Sequence, residues 1–523
     1  FSFILPCIKS KLANDDMNIY RHVNEDYYNP DRSLSIAKVL HLVEENDPSV
    51  QAIQISISPY QVSAGTLLTL SDFERVGRAV AKNTNLEALI LSIHYRVKNF
   101  LLADEHPMKG PHAPKDPPDY KIHLKRLLEL LCENRSIIHF ESRGDHELEL
   151  LAPLESFFSV NENLDFVRLS DWTAIAANTQ SLLTAIVKRQ SSLDTLCIER
   201  CTLRDEGLKE ITLTLKSCPE ACPKKLYLGG NSIGDGGCVS ISDVRNNTKI
   251  DLKEIDLSRN SSIGLRGLQS ISTALAMKGR PFEKLDLSFI PFGDAGFSEL
   301  VEAFLDCPKA TPKYLLLRYC RIYNSYWKIS RLLQCPDCSL VRIDLRNNSR
   351  LQSDTAEKIL DSLQNNSTLK EIYLPEIRSN NLWEKLVPLI FNTTSITATY
   401  ASNHSLVYFG DGKSQPLLVV NKHPDKKVVA AFKVIDHYFA HNFNVRLFEK
   451  MGAPILAEMI AFVNQGFEIR DKDILGVRMN SSSGNGDSSS GLCGEHGCRE
   501  NNNLTINYII ARNIPALLGF INH

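Results

Sequence analysis

The sequence predicts an α/β solenoid, with short parallel β-strands on a concave face, helices on the convex face and a helical cap at the C-terminal end. One apolar pattern recurs every 28 to 30 residues through the middle of the chain. Each copy begins with the alternating apolar residues of a strand and continues with helical spacing, as in 294–307 and 353–366. A single copy cannot bury its own apolar face, so neighbouring copies must stack and share one core.

The repeating pattern is apolar, two variable residues, apolar, one variable residue, apolar, and we call the second apolar residue the anchor. Strand side chains alternate between two faces, so every anchor should point into the core. The regular anchors are Val167, Leu196, Leu226, Ile255, Leu285, Leu315, Ile343 and Ile372. Looser copies are anchored at Ile53, Leu89 and Phe140, and we expect a terminal strand near Ile396.

The pattern resembles that of the leucine-rich-repeat family, in its ribonuclease-inhibitor-like intracellular class, over about residues 46–400. The resemblance implies a horseshoe-shaped solenoid whose concave face binds a protein. It also implies that residues at the ninth position of the pattern are buried and bind turn backbone: Cys201, Asn231, Asn260, Cys320 and Asn348. Trp172, Ile290 and Ile377 depart from this rule, which predicts locally irregular turns there.

Strand-to-helix loops repeat as well, in the segments LRDEGL, IGDGGC and FGDAGF. Their aspartates are Asp205, Asp235 and Asp294. An Asp at this point can cap the helix that follows, and the glycines would relieve a tight approach of neighbouring chains. We expect these residues to be structural.

Composition and charge limit the function. Lys plus Arg total 59 and Asp plus Glu total 61, a net charge of −2, whereas a general polyanion binder needs a basic excess. We therefore expect no nucleic-acid partner, and no apolar run is long enough to predict a membrane span. Thirteen cysteines spread thinly over a long chain suggest reduced thiols and a cytoplasmic or nuclear protein. The chain lacks an initial Met, so we expect its natural N-terminus to lie upstream.

Three regions are predicted along the chain. Residues 1–45 form an N-terminal cap, 46–400 a solenoid of about 11–12 repeats, and 401–523 a C-terminal helical cap that loosely resembles uncharacterised algal leucine-rich-repeat proteins. Segment 106–120 is a Pro-rich inserted loop, and 479–503 is low in complexity and expected to be disordered. Within the cap, 406–420 is expected to form a hairpin and 426–443, 453–465 and 504–520 amphipathic helices.

Cysteine spacing raises one chemical alternative. Cys335 and Cys338 have the spacing of a metal or redox pair. The repeat register offers another explanation, because Cys132, Cys218, Cys307 and Cys335 each precede an anchor by eight residues and would pack as buried thiols. Cys493 with Cys498, and His437 with His441, are weaker metal candidates without a complete ligand set. We expect no catalytic residue, cofactor or metal.

The candidate binding residues are those that follow the anchors and point out of the concave face. They are Tyr227, Asp256, Asp286, Phe289, Arg318, Tyr319, Asp344, Arg346 and Tyr373. Aromatic, acidic and Arg side chains on a rigid surface suit protein recognition, although Leu-Asp-Leu-Ser is also ordinary repeat filler.

The sequence therefore predicts a non-enzymatic, monomeric scaffold or adaptor that binds an unidentified protein. Two alternatives remain open. One is a regulator of a small GTPase, which rests on fold analogy alone. The other is a metal or redox protein that uses Cys335 and Cys338.

Overall fold

The computed structural model describes residues 3–4, 41–48, 50–57, 70–93, 120–144, 150–172, 175–187, 193–245, 247, 249–276, 281–377, 382–410, 419–438 and 455. The chain divides into two compact units, 1–292 and 293–523. The inserted loop 106–119, the low-complexity segment, the helices predicted at 453–465 and 504–520, and most of the N-terminal cap lie outside the described residues.

The described part of the first unit contains a sheet whose strands are hydrogen-bonded in chain order. They are β1 (Phe3–Ile4), β2 (Ala52–Ile57), β3 (Ala88–Ile93), β4 (His139–Arg143), β5 (Phe166–Ser170), β6 (Thr195–Glu199), β7 (Lys225–Tyr227), β8 (Glu254–Asp256) and β9 (Lys284–Asp286). β1 is antiparallel to β2, and β2 to β9 run parallel. Every predicted anchor from Ile53 to Leu285 is buried and lies directly opposite the next, so the predicted register is confirmed in this unit.

Helices alternate with these strands. They are α1 (Leu70–Lys82), α2 (Tyr120–Leu131), α3 (Leu151–Val160), α4 (Ile175–Val187), α5 (Arg204–Ser217), α6 (Asp235–Arg245) and α7 (Leu265–Ala276). From α1 to α6, each packs against the next helix in the chain. The largest aromatic cluster of this core is formed by Phe140, Phe157 and Phe158, whose ring centroids lie 4.8 to 5.5 Å apart.

The second unit repeats the same plan. Its described strands are β10 (Tyr314–Leu316), β11 (Arg342–Asp344), β12 (Glu371–Tyr373) and β13 (Tyr408–Gly410), all parallel. Its described helices are α8 (Gly293–Asp306), α9 (Trp327–Leu333), α10 (Ser353–Ser362), α11 (Leu382–Ile390), α12 (Ile396–Tyr400) and α13 (Lys426–Tyr438). The alternation of parallel strands with helices in both units confirms the predicted α/β solenoid class.

One prediction near the end of the array is wrong. Ile396 does not begin a strand but a short helix, whose first turn is capped because the Ala398 amide donates to the Ser395 hydroxyl at 3.0 Å. The last described strand is β13, where Phe409 takes the anchor position opposite Ile372. Most of the second half of the hairpin expected over 406–420 lies outside the described residues; in the described part β13 pairs with β12, and Val419–Lys422 form a 3-10 helix.

Ninth-position residues bind the turns as the family resemblance implies. The Asn231 side chain donates to the carbonyls of Ile198 (2.6 Å) and Leu228 (2.9 Å) and accepts from the Cys201 amide (2.8 Å). Asn260 in turn accepts from the Asn231 amide at 2.8 Å, so each turn is completed by the following repeat. Asn348 does the same in the second unit, where it accepts from the Cys320 amide at 2.7 Å.

A second asparagine series, which the sequence analysis missed, stabilises the other end of the repeats. Its members lie six residues before an anchor, at the point where a helix has ended: Asn83, Asn134, Asn161, Asn366 and Asn403. Asn134 donates to the carbonyls of Val80 (2.7 Å) and Asn83 (2.8 Å), which belong to the preceding repeat. The fixed six-residue spacing was the signal that could have revealed this series.

The loop aspartates join neighbouring repeats instead of capping their own helices. Asp235 accepts the amides of Gly264 (2.7 Å) and Gly267 (2.8 Å), which lead into α7 of the next repeat. The prediction that this Asp caps α6 is therefore wrong. The close approach also explains a glycine, because a Cβ at Gly267 would lie 2.6 Å from the Asp235 carboxylate.

Irregular turns were predicted at three positions, and they are found only in part. The positions are Trp172, Ile290 and Ile377. Trp172 and Ile290 are fully buried, and each follows a residue with the positive φ of the regular repeats, Asp171 or Phe289. A large apolar side chain thus fills the ninth position without changing the turn. After β12 the regular turn is lost, and Ile377 forms only an isolated bridge with Leu351.

Helix α13 packs against α12 and buries one face, including Val429 and Val434. Lys433 is buried with it, and its ammonium donates to the carbonyls of Ile390 (2.6 Å) and Asn403 (3.1 Å). These contacts attach the helix to the last repeats, as expected of a cap.

Replacing Leu285 by Ala should lower the free energy of unfolding by roughly 2–5 kcal/mol, because the anchor is fully buried. Leu213 on α5 is 48% exposed, so Leu213→Ala is a matched control that should change stability by less than about 0.5 kcal/mol. Urea melts would measure both. Equal losses for the two variants would contradict the anchor assignment.

Asp235→Ala should destabilise the chain by roughly 1–3 kcal/mol, because it leaves the amides of Gly264 and Gly267 without their acceptor. Asp243 lies exposed on the same helix and pairs only with Lys216, so Asp243→Ala should cost less than about 1 kcal/mol. Thermal melts would separate the two variants. If Asp235→Ala lowers stability no more than Asp243→Ala does, Asp235 does not join the repeats.

Candidate protein-binding face

The strand face, as we define it, comprises the side chains one residue before, one residue after and three residues after each anchor. Of the predicted binding residues, Tyr227, Asp256, Asp286 and Phe289 lie in the first unit, and Arg318, Tyr319, Asp344, Arg346 and Tyr373 lie in the second. Sequence reasoning missed the row before the anchors, which includes His139, Phe166, Lys225, Glu254, Lys284, Arg342, Glu371 and Tyr408. Alternation along a strand places this row on the same side as the predicted one, and that was the available signal.

On β4 and β5 the face carries charges that are paired with one another. Glu141 is buried and accepts from Arg143 at 2.7 Å, and His139 lies 3.0 Å from its other oxygen. Although burial would raise the pKa of Glu141, these partners lower it to about 2. The His139 ring also stacks on Phe166 at 4.2 Å, so this end is a fixed surface.

A ladder of alternating charge crosses β7, β8 and β9. Tyr227 donates its hydroxyl to Glu254 at 2.7 Å, and the Lys284 ammonium lies 5.3 Å from the centroid of the Tyr227 ring. Burial, together with the nearby Glu254 carboxylate, raises the pKa of Tyr227 strongly. The tyrosine is therefore a neutral donor whose hydroxyl is held from β8 and whose ring is approached by a lysine from β9.

The predicted acidic pair is present. Asp256 and Asp286 are direct partners across β8 and β9, and each accepts the amide of the residue two positions on, Ser258 or Ser288. Burial and then the neighbouring Asp286 charge raise the pKa of Asp256. Two like charges in register are unfavourable, so this part of the face carries a local electrostatic cost.

Asp344 was predicted to contact a partner, but the structure buries it to 4% exposure. It accepts two hydrogen bonds from the Arg346 guanidinium, at 3.0 and 2.6 Å, and its carboxylate lies 3.9 Å from Arg318. Asp344 therefore acts from beneath the surface, where it fixes the orientation of two arginines that remain partly exposed. The carboxylate that was predicted to contact a partner is thus covered by a fork-shaped hydrogen bond.

Tyr373 is packed between aromatic and cationic neighbours. Its ring stacks on Tyr408 at 4.4 Å, and the Arg346 guanidinium lies 4.5 Å from its centroid. Its hydroxyl donates to Glu371 at 3.0 Å, and burial with that carboxylate raises the pKa of Tyr373 to about 12. Arg342 pairs with Glu371 at 2.7 Å and lies 5.8 Å from both the Tyr373 and Tyr314 rings.

A further row, which we call the turn row, lies four residues after the anchors, where the backbone has positive φ. Its members are Gly144, Asp171, Arg200, Gly230, Arg259, Phe289, Tyr319 and Asn347. Arg200 pairs with Asp171 through two bonds of 2.7 Å, and the Arg259 guanidinium lies 4.0 Å from the Phe289 centroid. Only Phe289 and Tyr319 of this row were predicted from the sequence.

Several turn-row side chains make the positive-φ backbone energetically unfavourable. Positive φ is tolerated by Gly and Asn, whereas bulky residues there lose roughly 1–2 kcal/mol. Arg259, Phe289 and Tyr319 are nevertheless present, with Tyr319 46% exposed. Strained backbone that carries exposed aromatic and charged groups is a recurrent feature of binding surfaces.

The cysteine pair does not have the geometry of a reactive site. Cys335 is partly exposed and Cys338 is buried, and burial raises the pKa of Cys338, which disfavours the thiolate that metals and disulfides require. The prediction that cysteines eight residues before an anchor are buried thiols is wrong. All four of them are only partly buried, at helix ends: Cys132, Cys218, Cys307 and Cys335. Among the described residues no three His, Cys, Asp or Glu side chains are grouped as metal ligands would be. His441, Cys493 and Cys498 lie outside those residues.

A family model agrees with the repeat pattern. The family model described as Leucine Rich repeat matches residues 224–242. The human protein "NACHT, LRR and PYD domains-containing protein 14" is 27% identical over 204 residues, 39% of this chain and 18% of the human protein. The chain therefore matches less than a fifth of that relative's length. One chain in the crystal structure of the yeast Rad7 and Elc1 complex matches 64% of this chain and 78% of its own length, with a TM-score of 0.34 and 13% identity.

The fold and the strand face together define a repeat solenoid whose outward rows vary from repeat to repeat. The stacked strand-and-helix units in register form a leucine-rich-repeat fold, and the family model matches one of these units. Within the part of the chain that the structure covers, no helix is long and apolar enough to cross a bilayer.

Asp256→Asn should raise the melting temperature near pH 7.5 and have less effect near pH 4. The raised pKa in the folded state means that ionisation costs stability once the pH exceeds the unfolded value of about 3.9. Asn keeps an oxygen for the Ser258 amide but carries no charge. Asp251→Asn is the control, because Asp251 is exposed and lies three residues before β8. It should show no such pH dependence. A pH-independent gain in both variants would contradict the repulsion between Asp256 and Asp286.

Proposed function

We propose that this protein is a non-enzymatic scaffold that binds a partner protein on the strand face and the turn row. The observation that carries the proposal is the presence of Arg259, Phe289 and Tyr319 at left-handed backbone positions. Gly and Asn occupy the same position in other repeats, so the fold does not require large side chains there. Their contribution to binding is the benefit that offsets the backbone strain.

The surface is also arranged before any partner arrives. The Asp344 carboxylate holds Arg346 at two points, and Arg346 in turn covers the ring of Tyr373. Side chains that are already ordered lose little entropy on binding, which favours affinity. Tyr and Arg are the residue types most enriched at energetically important interface positions.

The repeat length of 28 to 30 residues, with a helix after each strand, supports a place in the ribonuclease-inhibitor-like class. The packing of α13 against the last repeats supports the proposed C-terminal cap. We also propose that the remaining sequence-derived regions, 1–45 and 46–400, are an N-terminal cap and the repeat array.

Affinity purification from the native source with the full chain as bait, followed by mass spectrometry, would identify the partner. Tyr319→Asn should then weaken binding by about 1 kcal/mol or more, because it removes an exposed aromatic contact. The melting temperature should not fall, because Asn347 occupies the same left-handed position in the next repeat.

Leu213→Ala and Val239→Ala change exposed apolar side chains on helices α5 and α6 and serve as controls. Both should leave partner binding unchanged. If these helix variants abolish binding while Tyr319→Asn and Tyr373→Ala bind normally, the proposed face is wrong.

A further inference from the structure

One repeat differs sharply in charge from the rest of the chain. Residues 307–336, which we call the basic repeat, contain six Lys and Arg and no Asp or Glu, although the whole chain has a net charge of −2. The six are Lys309, Lys313, Arg318, Arg321, Lys328 and Arg331. Within the same thirty residues are five aromatic side chains: Tyr314, Tyr319, Tyr323, Tyr326 and Trp327.

Four of these aromatic residues lie on the surface. Tyr314 is 38% exposed, Tyr319 46%, Tyr323 54% and Trp327 42%. They account for four of the nine large apolar side chains that are exposed among the described residues, and they come from a span of fourteen positions. Clustered exposed aromatic side chains mark interaction sites, whereas single ones need no explanation.

The backbone that carries them is held from both sides. The Asp294 carboxylate accepts the amides of Tyr323, Asn324 and Ser325, each at 3.0 Å. Although burial would raise the pKa of Asp294, these backbone hydrogen bonds lower it. The hydroxyl of the buried Tyr326 lies 2.9 Å from the carbonyl oxygens of both Ile322 and Ser349 and can donate to either. A fixed loop can present large aromatic groups without losing further conformational entropy on binding.

Nearby acidic side chains neutralise only part of the positive charge. Glu302 pairs with Lys328 (2.9 Å) and Arg331 (2.8 Å) on the helix side. Asp344 is covered by Arg346 and lies 3.9 Å from Arg318. Arg318 keeps 39% of its side chain exposed, and Arg321 is exposed in the turn beside Tyr319. The strand and turn side of the repeat therefore presents exposed guanidinium groups together with exposed aromatic rings.

We propose that the basic repeat binds an acidic segment of a partner protein, one rich in Asp and Glu with interspersed apolar residues. The proposal rests on the scaffold function proposed above and specifies the chemistry of the partner. Guanidinium groups bind carboxylates through paired hydrogen bonds, and the exposed rings of Tyr319, Tyr323 and Trp327 would contact the apolar residues between them.

An acidic peptide fits this surface better than a nucleic acid does. Nucleic-acid affinity comes from many phosphate contacts along an extended basic surface. Here the excess is confined to one repeat, and the next strands bring Asp344 and Glu371 to the same face. Such carboxylates would repel a phosphate chain but need not oppose a short peptide.

The test is selection of random twelve-residue peptides displayed on phage against the full chain, followed by fluorescence anisotropy with the selected peptides as synthetic probes. The selected peptides should be enriched in Asp and Glu, and their affinity should fall as salt rises. Arg321→Glu should weaken binding by about tenfold or more. Arg321→Asn, which suits the positive φ of this residue, should show a smaller loss of the same kind.

Arg266→Glu is the matched control, because Arg266 is exposed on α7, away from the strand face, and should leave affinity unchanged. Melting temperatures of all variants would establish that they are folded. A uridine 20-mer RNA serves as the competing probe. Tighter binding of that RNA than of the peptides, lost in Arg321→Glu, would overturn the acidic-peptide proposal in favour of nucleic acid.

The outcomes also separate this proposal from the scaffold function. Peptides that are apolar or basic and lose affinity with Tyr319→Asn but not with Arg321→Glu would overturn the acidic partner while supporting the binding face. If the affinity of the selected peptides is unchanged by Tyr319→Asn, Tyr373→Ala and Arg321→Glu, both the acidic partner and the proposed binding face are contradicted.

Discussion

Each repeat of this protein depends on polar groups supplied by its neighbour. The Asn260 side chain completes the turn of the repeat before it, and Asp235 accepts the amides that open the next helix. Buried amides and carbonyls that lacked such partners would cost roughly 1–3 kcal/mol each. The stacked apolar anchors supply the driving force for assembly, but these shared hydrogen bonds require that the repeats stack in one register and at one distance.

This constraint separates the interior from the surface. Because Asn231, Asn348 and Asp294 fix the turns from inside, the outward residues can differ widely without altering the backbone. Arg200, Gly230 and Phe289 occupy equivalent positions with similar φ values, yet they are a cation, a glycine and an aromatic ring. The same scaffold can therefore present an acidic pair across two neighbouring repeats and a basic, aromatic surface in another repeat.

The anchors could be predicted from the sequence because their spacing is regular and apolar burial needs no knowledge of a partner. Features that depend on a contact with a particular other residue were harder to predict. Asp235 looks like an ordinary helix cap, and its acceptor role depends on amides 29 and 32 positions away. Asp256 and Asp344 share one position in the pattern, but only Asp344 is covered by a guanidinium fork from its own strand end. The strand at Phe409 was missed because it follows Ile372 by 37 residues and so breaks the period.

The turn row has a consequence for how recognition could change over time. From Asp171 to Asn347 its residues share one backbone conformation, with φ between 54° and 70°. A substitution there alters the displayed chemistry while its backbone cost stays within about 1–2 kcal/mol. A lineage of such proteins could thus exchange partners by point mutations at positions like Tyr319 and Arg259, with no need to rebuild the array. The same property makes these positions a small, ordered set of sites at which to diversify the protein by design.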